Sequence, residues 1–347
     1  RMQLDLLFDM ATALDFLDSW PAAKALTDEA VELAGPEPSP LDLARLRAAQ
    51  ARDLYRMNSE ARSIDALLEA VELAERAGDD AYEAMVACLQ MVTSSAGMNG
   101  RTEVALSAAD KCLALARQHG DRFTEAGLLN NRIFAWLPLG QLDRVREDLE
   151  ATLAIARENG FVVLELRALH NLTEVAYSIG DAQKAERFAA QNVELFDRVS
   201  GEALDGLVNE LVLHARILFV LGKSAEARVV LDDVLRRRAA ATPAGQTLPW
   251  QESIHVLFDA VELATREATE EEWAALFERS KLHSNQEEPI EIRALRGLAA
   301  RRRGDLVTAR RALNEALDLA KTMPTMIGGT VSKWLAEVEA EAATAAA

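Results

Sequence analysis

Related segments recur along this chain at nearly constant spacing, and that spacing limits what it can fold into more than any other property. Gly100-Arg-Thr-Glu-Val-Ala105, Gly140-Gln-Leu-Asp-Arg-Val145, Gly180-Asp-Ala-Gln-Lys-Ala185, Gly222-Lys-Ser-Ala-Glu-Ala227 and Gly304-Asp-Leu-Val-Thr-Ala309 align at their glycines. The first three glycines lie 40 residues apart and the fourth follows after 42. Each is expected to end one amphipathic helix and precede another. Asp18, Asn58 and Ala268 hold the same turn in weaker copies, giving successive steps of 40, 42, 40, 40, 42, 46 and 36. Asn and Asp tolerate the left-handed backbone that Gly adopts freely, so Ala268 is the poorest of the three substitutes.

Small residues keep step with the turns. Five positions after each turn stand Ala23, Ser63, Ala105, Val145, Ala185, Ala227, Trp273 and Ala309, with Trp273 breaking the rule. Twelve after it come Ala30, Ala70, Cys112, Thr152, Asn192, Val234, Ser280 and Ala316, and seven before it Ala11, Ala51, Thr93, Ile133, Thr173, Ala215, Val261 and Gly297. Three such columns locked to one turn imply two closely approaching antiparallel helices per repeat, each pair burying its apolar stripe against its neighbours. Composition agrees. Half of the 347 residues are hydrophobic but only 5% are aromatic, the profile of long Ala/Leu/Glu/Arg-rich helices.

The segment Ala168-Leu-His-Asn-Leu-Thr-Glu-Val-Ala-Tyr-Ser-Ile-Gly-Asp-Ala-Gln-Lys-Ala185 resembles a tetratricopeptide repeat, with that family's small-residue columns around its Gly-Asp turn. The resemblance covers nearly the whole chain. These repeats are longer than the family's basic unit of about 34 residues and mostly lack its terminal Pro. In that length they are similar to repeats of maltose-regulator-type activators, signalling NTPases and kinase-associated regions of bacteria. The resemblance implies an all-α, right-handed superhelical solenoid of about eight repeats, and residues 328–341, with Trp334 and Leu335 on one face, read as a closing helix.

First helices are expected over 2–17, 41–57, 81–98, 122–138, 161–179, 204–221, 251–266 and 288–303, each followed after its turn by a second helix of some 15–18 residues. Residues 1–341 read as a single solenoid domain and 342–347 as a frayed tail. Pro-rich segments at Gly35–Pro40 and Ala241–Pro249 read as loops between repeats. The second interrupts regularity at 239–250, as a hinge or as a longer surface loop. Arg1 opens the chain, consistent with a segment of a longer protein or with a processed or tagged terminus.

The formal charge of −18 repels nucleic-acid phosphates and anionic membranes, so neither is an expected partner. Basic clusters at Arg236–Arg238 and along Arg296, Arg301, Arg302, Arg303, Arg310 and Arg311 read as solvated helix faces, or else as contacts for an acidic partner surface. No apolar run approaches the roughly 20 residues a membrane helix needs. Two cysteines without a Cys-x-x-Cys spacing suit a reducing cytoplasm. Gly222-Lys223-Ser224 fails as a phosphate loop, because Ile217 stands where the motif needs another Gly and a helix precedes it. His119, His170, His214, His255 and His283 show no metal spacing, and no cofactor is expected. Asn171-Leu-Thr173 matches a glycosylation acceptor by coincidence of composition.

The chemistry of recognition is therefore sought on the first helices, which line the concave face of such arrays. Counting back from the turns places Gln90, Asn130, Asn131, Phe134, Arg167, His170, Asn171, Glu174, Tyr177 and Arg216 there, with Arg52 and Tyr55 further along. In peptide-binding tetratricopeptide domains Asn side chains hold the ligand backbone, since one amide both donates and accepts. Arg52, Arg167 and Arg216 would add carboxylate-binding forks. The expected function is a non-enzymatic protein- or peptide-binding scaffold regulating a neighbouring module. A sensor for a small-molecule effector is the alternative, and end-to-end stacking could make a homodimer.

Overall fold

The computed structural model of the chain describes residues 2–16, 19–57, 61–199, 204–243, 252–282, 287–322 and 325–346. Asp18, Asn58, His283 and positions 244–250 of the interruption lie outside the described residues. The chain divides into two compact units, Arg1–Ala168 and Leu169–Ala347.

The first unit holds α1 (Met2–Phe16), α2 (Trp20–Ala34), α3 (Pro40–Met57), α4 (Ala61–Ala77), α5 (Tyr82–Met98), α6 (Thr102–His119), α7 (Arg122–Trp136) and α8 (Leu142–Asn159). The unit boundary falls inside α9 (Val162–Ser178). The second unit continues with α10 (Ala182–Val199), α11 (Leu204–Val220), α12 (Ser224–Ala241), α13 (Glu252–Thr265), α14 (Glu270–Ser280), α15 (Glu288–Arg302), α16 (Leu306–Ala320) and α17 (Gly328–Ala346). The described residues form no strand.

First helices pack on their own second helices: α1 on α2, α3 on α4, α5 on α6 and α7 on α8 in the first unit, and α11 on α12, α13 on α14 and α15 on α16 in the second. Second helices also meet the next first helix, as α4 meets α5 and α6 meets α7, and successive first helices α3, α5 and α7, or α11, α13 and α15, lie in contact. All three columns read from the sequence are buried at every position, Trp273 included. Small side chains are required because the backbones come so near: a Cβ added to Gly97 in α5 would stand 2.6 Å from the carbonyl carbon and oxygen of Phe134 in α7.

Register between repeats is also visible in polar contacts. Arg45 donates to Asp5 at 2.7 Å, Arg56 to Asp15 at 2.7 and 2.8 Å, and Tyr82 to Asp121 at 2.9 Å, joining residues 40, 41 and 39 apart. Arg237 reaches Asp197, 40 residues away, at 2.7 Å.

The turn glycines 100, 140, 180, 222 and 304 all have φ between 65° and 83°, the left-handed region a Cβ disfavours. A second set, Gly120 and Gly160, ends α6 and α8 in the same conformation and went unread in the sequence. Three boundaries differ from expectation. α7 gives way after Trp136 to a 3-10 turn over Leu137–Leu139, because Pro138 has no N–H to continue an α-helix. α14 has 11 residues, fewer than the 15–18 expected; its start is set by a capping box between Thr269 and Glu272, not by Ala268. α17 runs through Ala346, so the expected tail is helical nearly to its end, as its Ala and Glu content favours.

Candidate functional site

In the first unit the candidate residues fall on α3, α5, α7 and α9, at register positions that repeat from helix to helix. Gln90 and Asn130 hold one position, Arg52 and Phe134 another. These positions lie where adjacent first helices run side by side, so several side chains bond to the neighbouring copy. Arg52 Nη1 donates to Thr12 Oγ1 at 3.1 Å, and its Nε lies 3.9 Å from Asp53. Its Nε and Nη2, the edge by which Arg56 and Arg132 clasp Asp15 and Asp148, are buried without a hydrogen-bond partner. Tyr55 Oη is 3.5 Å from Ser94 Oγ. The Gln90 carboxamide lies over Gly127, whose added Cβ would stand 3.1 Å from Oε1. Asn130 is buried, Asn131 and Phe134 are half-buried, and Arg167 is exposed with no ion pair among the described residues.

The second unit uses its candidate residues differently. His170 Nδ1 lies 2.8 Å from Glu210, which also accepts from Asn192 at 2.6 Å. Burial alone would lower the imidazole's pKa, but the hydrogen bond and charge of Glu210 outweigh it and raise it above its ordinary value. Arg216 on α11 donates to Glu174 on α9 at 2.8 Å and to Glu291 on α15, and lies 5.2 Å from the centre of the Tyr177 ring. Tyr177, Arg216 and Glu291 are all buried. Arg216 thus presents no free carboxylate-binding fork: its own chain fills it, because an unpaired guanidinium at this depth would be costly. Asn171 is half-buried on the same helix as Glu174.

Reading by sequence missed Glu288 and Glu291, since acidic residues are abundant and nothing local marks these two. Glu288 is 1% exposed, and neither carboxylate oxygen has a hydrogen-bond partner. Burial, then the nearby Glu291 charge, push its pKa up to about 7 against the attraction of Arg216. Burial likewise raises Glu291, with Arg216 opposing.

A cavity of about 410 Å³ lies at the ends of α11 and α15 beside α17, lined by Val220, Leu221, Leu298, Arg301, Arg302 and Trp334 among others. Arg302 stacks on the Phe219 ring at 3.8 Å and donates to the carbonyls of Phe219 and Val220. Arg301 is held by Glu337 and Glu341 at 2.6 Å each. Arg296 and Arg311 pair with Glu270, and Arg236 and Arg237 with Asp233. Much of the basic sequence is therefore neutralised within the chain. No group of three or more His, Cys, Asp or Glu among the described residues could hold a metal, and no described helix is long and apolar enough to cross a membrane.

No family model matches the chain, and no curated protein matches it. Solved structures do. The apo form of the quorum sensor NprR from B. thuringiensis is 13% identical, with 92% of this chain and 88% of that one covered at a TM-score of 0.62. The apo form of RapI is 10% identical over 92% of this chain and 97% of its own, with a TM-score of 0.66. NprR in complex with its cognate peptide NprX is 15% identical over 90% and 86%, with a TM-score of 0.54. At such identities the likeness is one of fold. With helix pairs repeating every forty residues and small-residue columns buried throughout, the chain has the tetratricopeptide-like, all-helical repeat fold.

Proposed function

We propose that this chain is a peptide- or protein-binding scaffold, acting as the regulatory or sensor part of a bacterial cytoplasmic signalling protein and without catalysis of its own. The observation that carries the reading is the row of adaptable groups on consecutive first helices of the first unit. Gln90, Asn131 and Phe134 are half-buried, and Arg167 is exposed without an ion pair among the described residues. Amides that donate and accept, an aromatic face and a guanidinium fork are what an extended peptide backbone and its carboxylates require. The fold shared with NprR, which has been solved with a cognate peptide, supports the same reading.

Selection of a displayed random-peptide library on the intact chain tests it. A selected peptide, resynthesised, should bind the Asn131→Ala/Arg167→Ala variant at least tenfold more weakly, since each lost hydrogen bond contributes about 1 kcal/mol or more. Failure to select any peptide, or equal affinity for the variant, refutes the assignment. A small-molecule effector is the second reading, with the open depression beside Trp334 as its candidate seat. In a metabolite thermal-shift screen, a ligand at about 100 times its dissociation constant would add about 2.7 kcal/mol of stability.

A further inference from the structure

α1 is apolar on two opposite faces. Leu4, Leu7 and Ala11 point into the first unit, while Met2, Leu6 and Met10, spaced i, i+4 and i+8, form a stripe on the other side, exposed to 86%, 56% and 45%. A helix apolar on both sides is built to lie between neighbours. The repeat register shows what the outer neighbour would be. Leu6 occupies the position of Leu46, Cys88 and Leu128 in α3, α5 and α7, and all three of those are buried. Ala13, also exposed, matches Asp53, Ser95 and Ala135, again all buried. In each later copy the preceding helix pair supplies the cover: α2 packs on α3, α4 on α5 and α6 on α7, and Leu46 clusters with Leu4, Leu7 and Ala30. The opposite end of the sequence is finished differently. α17 buries Val331, Trp334 and Val338 and leaves Ser332, Lys333, Ala336, Glu339 and Ala340 exposed, a face without large apolar side chains.

We propose that the outward face of α1 is a docking surface for another helix pair of the tetratricopeptide kind, seated on α1 as α1 and α2 are seated on α3. The surface continues an interface that the first unit already makes three times, and its occupant must offer small and aliphatic side chains from two antiparallel helices. A second copy of the chain offers at α17 only a single helix, whose exposed face carries Ser332, Lys333 and Glu339 beside alanines and no large aliphatic side chain.

The test joins a copy of the α5–α6 pair with the two residues that follow it, residues 82–123, ahead of Met2 of the full chain, so that Met2 takes the register of Thr124. In the native protein that pair covers Leu128 and Ala135, the counterparts of Leu6 and Ala13. Hydrogen exchange of the α1 amides should slow at least tenfold in the extended chain. Leu6→Lys/Met10→Lys should abolish that gain in the extended chain while changing the urea midpoint of the parent little, because both side chains are exposed there. Unchanged α1 exchange in the extended chain, or slowing that survives the double substitution, overturns the proposal. So does a parent dimer in sedimentation that Leu6→Lys/Met10→Lys dissolves, since a second α1 would then be the occupant.

Discussion

Replacing Glu288 by Gln should flatten part of the pH dependence of folding. The native carboxyl is 1% exposed, neither oxygen is hydrogen-bonded, and Glu291 stands beside it. Its folded pKa of about 7 exceeds the ordinary 4.5, so the folded state holds the proton more tightly than the unfolded one. The resulting penalty is absent below about pH 4.5, grows as the pH rises and is complete above about pH 7. At about 1.4 kcal/mol per pKa unit it reaches about 3 kcal/mol. The charge also sits in the first turn of α15, where the helix dipole returns about 0.3–1 kcal/mol, leaving a net of about 2–3 kcal/mol. The Gln amide remains a buried polar group at every pH, so the diagnostic quantity is the change with pH. Stability from urea unfolding, followed by circular dichroism at pH 5, where the penalty has only begun, and at pH 8, should fall by about 2 kcal/mol less in Glu288→Gln than in the parent. Equal falls in the two proteins would refute the electrostatic account.

Other expectations follow from the same contacts. Arg216→Ala strips Glu174 and Glu291 of their partner and should cost about 3–5 kcal/mol, read from the urea midpoint at pH 8. Gly97→Ala should destabilise by about 1–3 kcal/mol despite a better helix propensity, because its Cβ would meet the Phe134 carbonyl at 2.6 Å; a more stable variant in thermal unfolding would contradict that close approach. Cys88 and Cys112 are buried, and burial pushes both thiols up to about 12. A thiol reagent at pH 8 should therefore titrate neither in the native protein and both in denaturant.

The repeat was legible because its determinants are local or strictly periodic. A turn residue and three small-residue columns register the close approach of backbones, and burial at all of those positions follows from that geometry. Ala268 was a poor turn for a physical reason: the helix start there is set by the Thr269–Glu272 capping box, a signal present in the sequence but belonging to a different class. The surroundings of the candidate residues were legible only in outline. Counting from the turns finds the side of each first helix that meets its neighbours, but cannot tell a side chain that meets a ligand from one that meets its own copy forty residues away. Thus Arg52 bonds Thr12, His170 meets Glu210 and Arg216 clasps Glu174, whereas Arg167 remains exposed. Glu291 lies 75 residues from Arg216, beyond the reach of a nearest-repeat rule. The exposed stripe on α1 was also hidden, since Met2, Leu6 and Met10 resemble core residues until their exposure is seen.

The central claim, that stacked helix pairs of forty residues build this chain, is tested most directly by deletion in register. Removing residues 101–140 joins Gly100 to Gln141 at equivalent points of two turns and takes out one second helix and the next first helix. The account expects circular dichroism to show unchanged helicity per residue and a cooperative urea transition for this protein, and loss of both when residues 101–120 alone are removed. Equal behaviour of the two deletions, whether both fold or both fail, would contradict it.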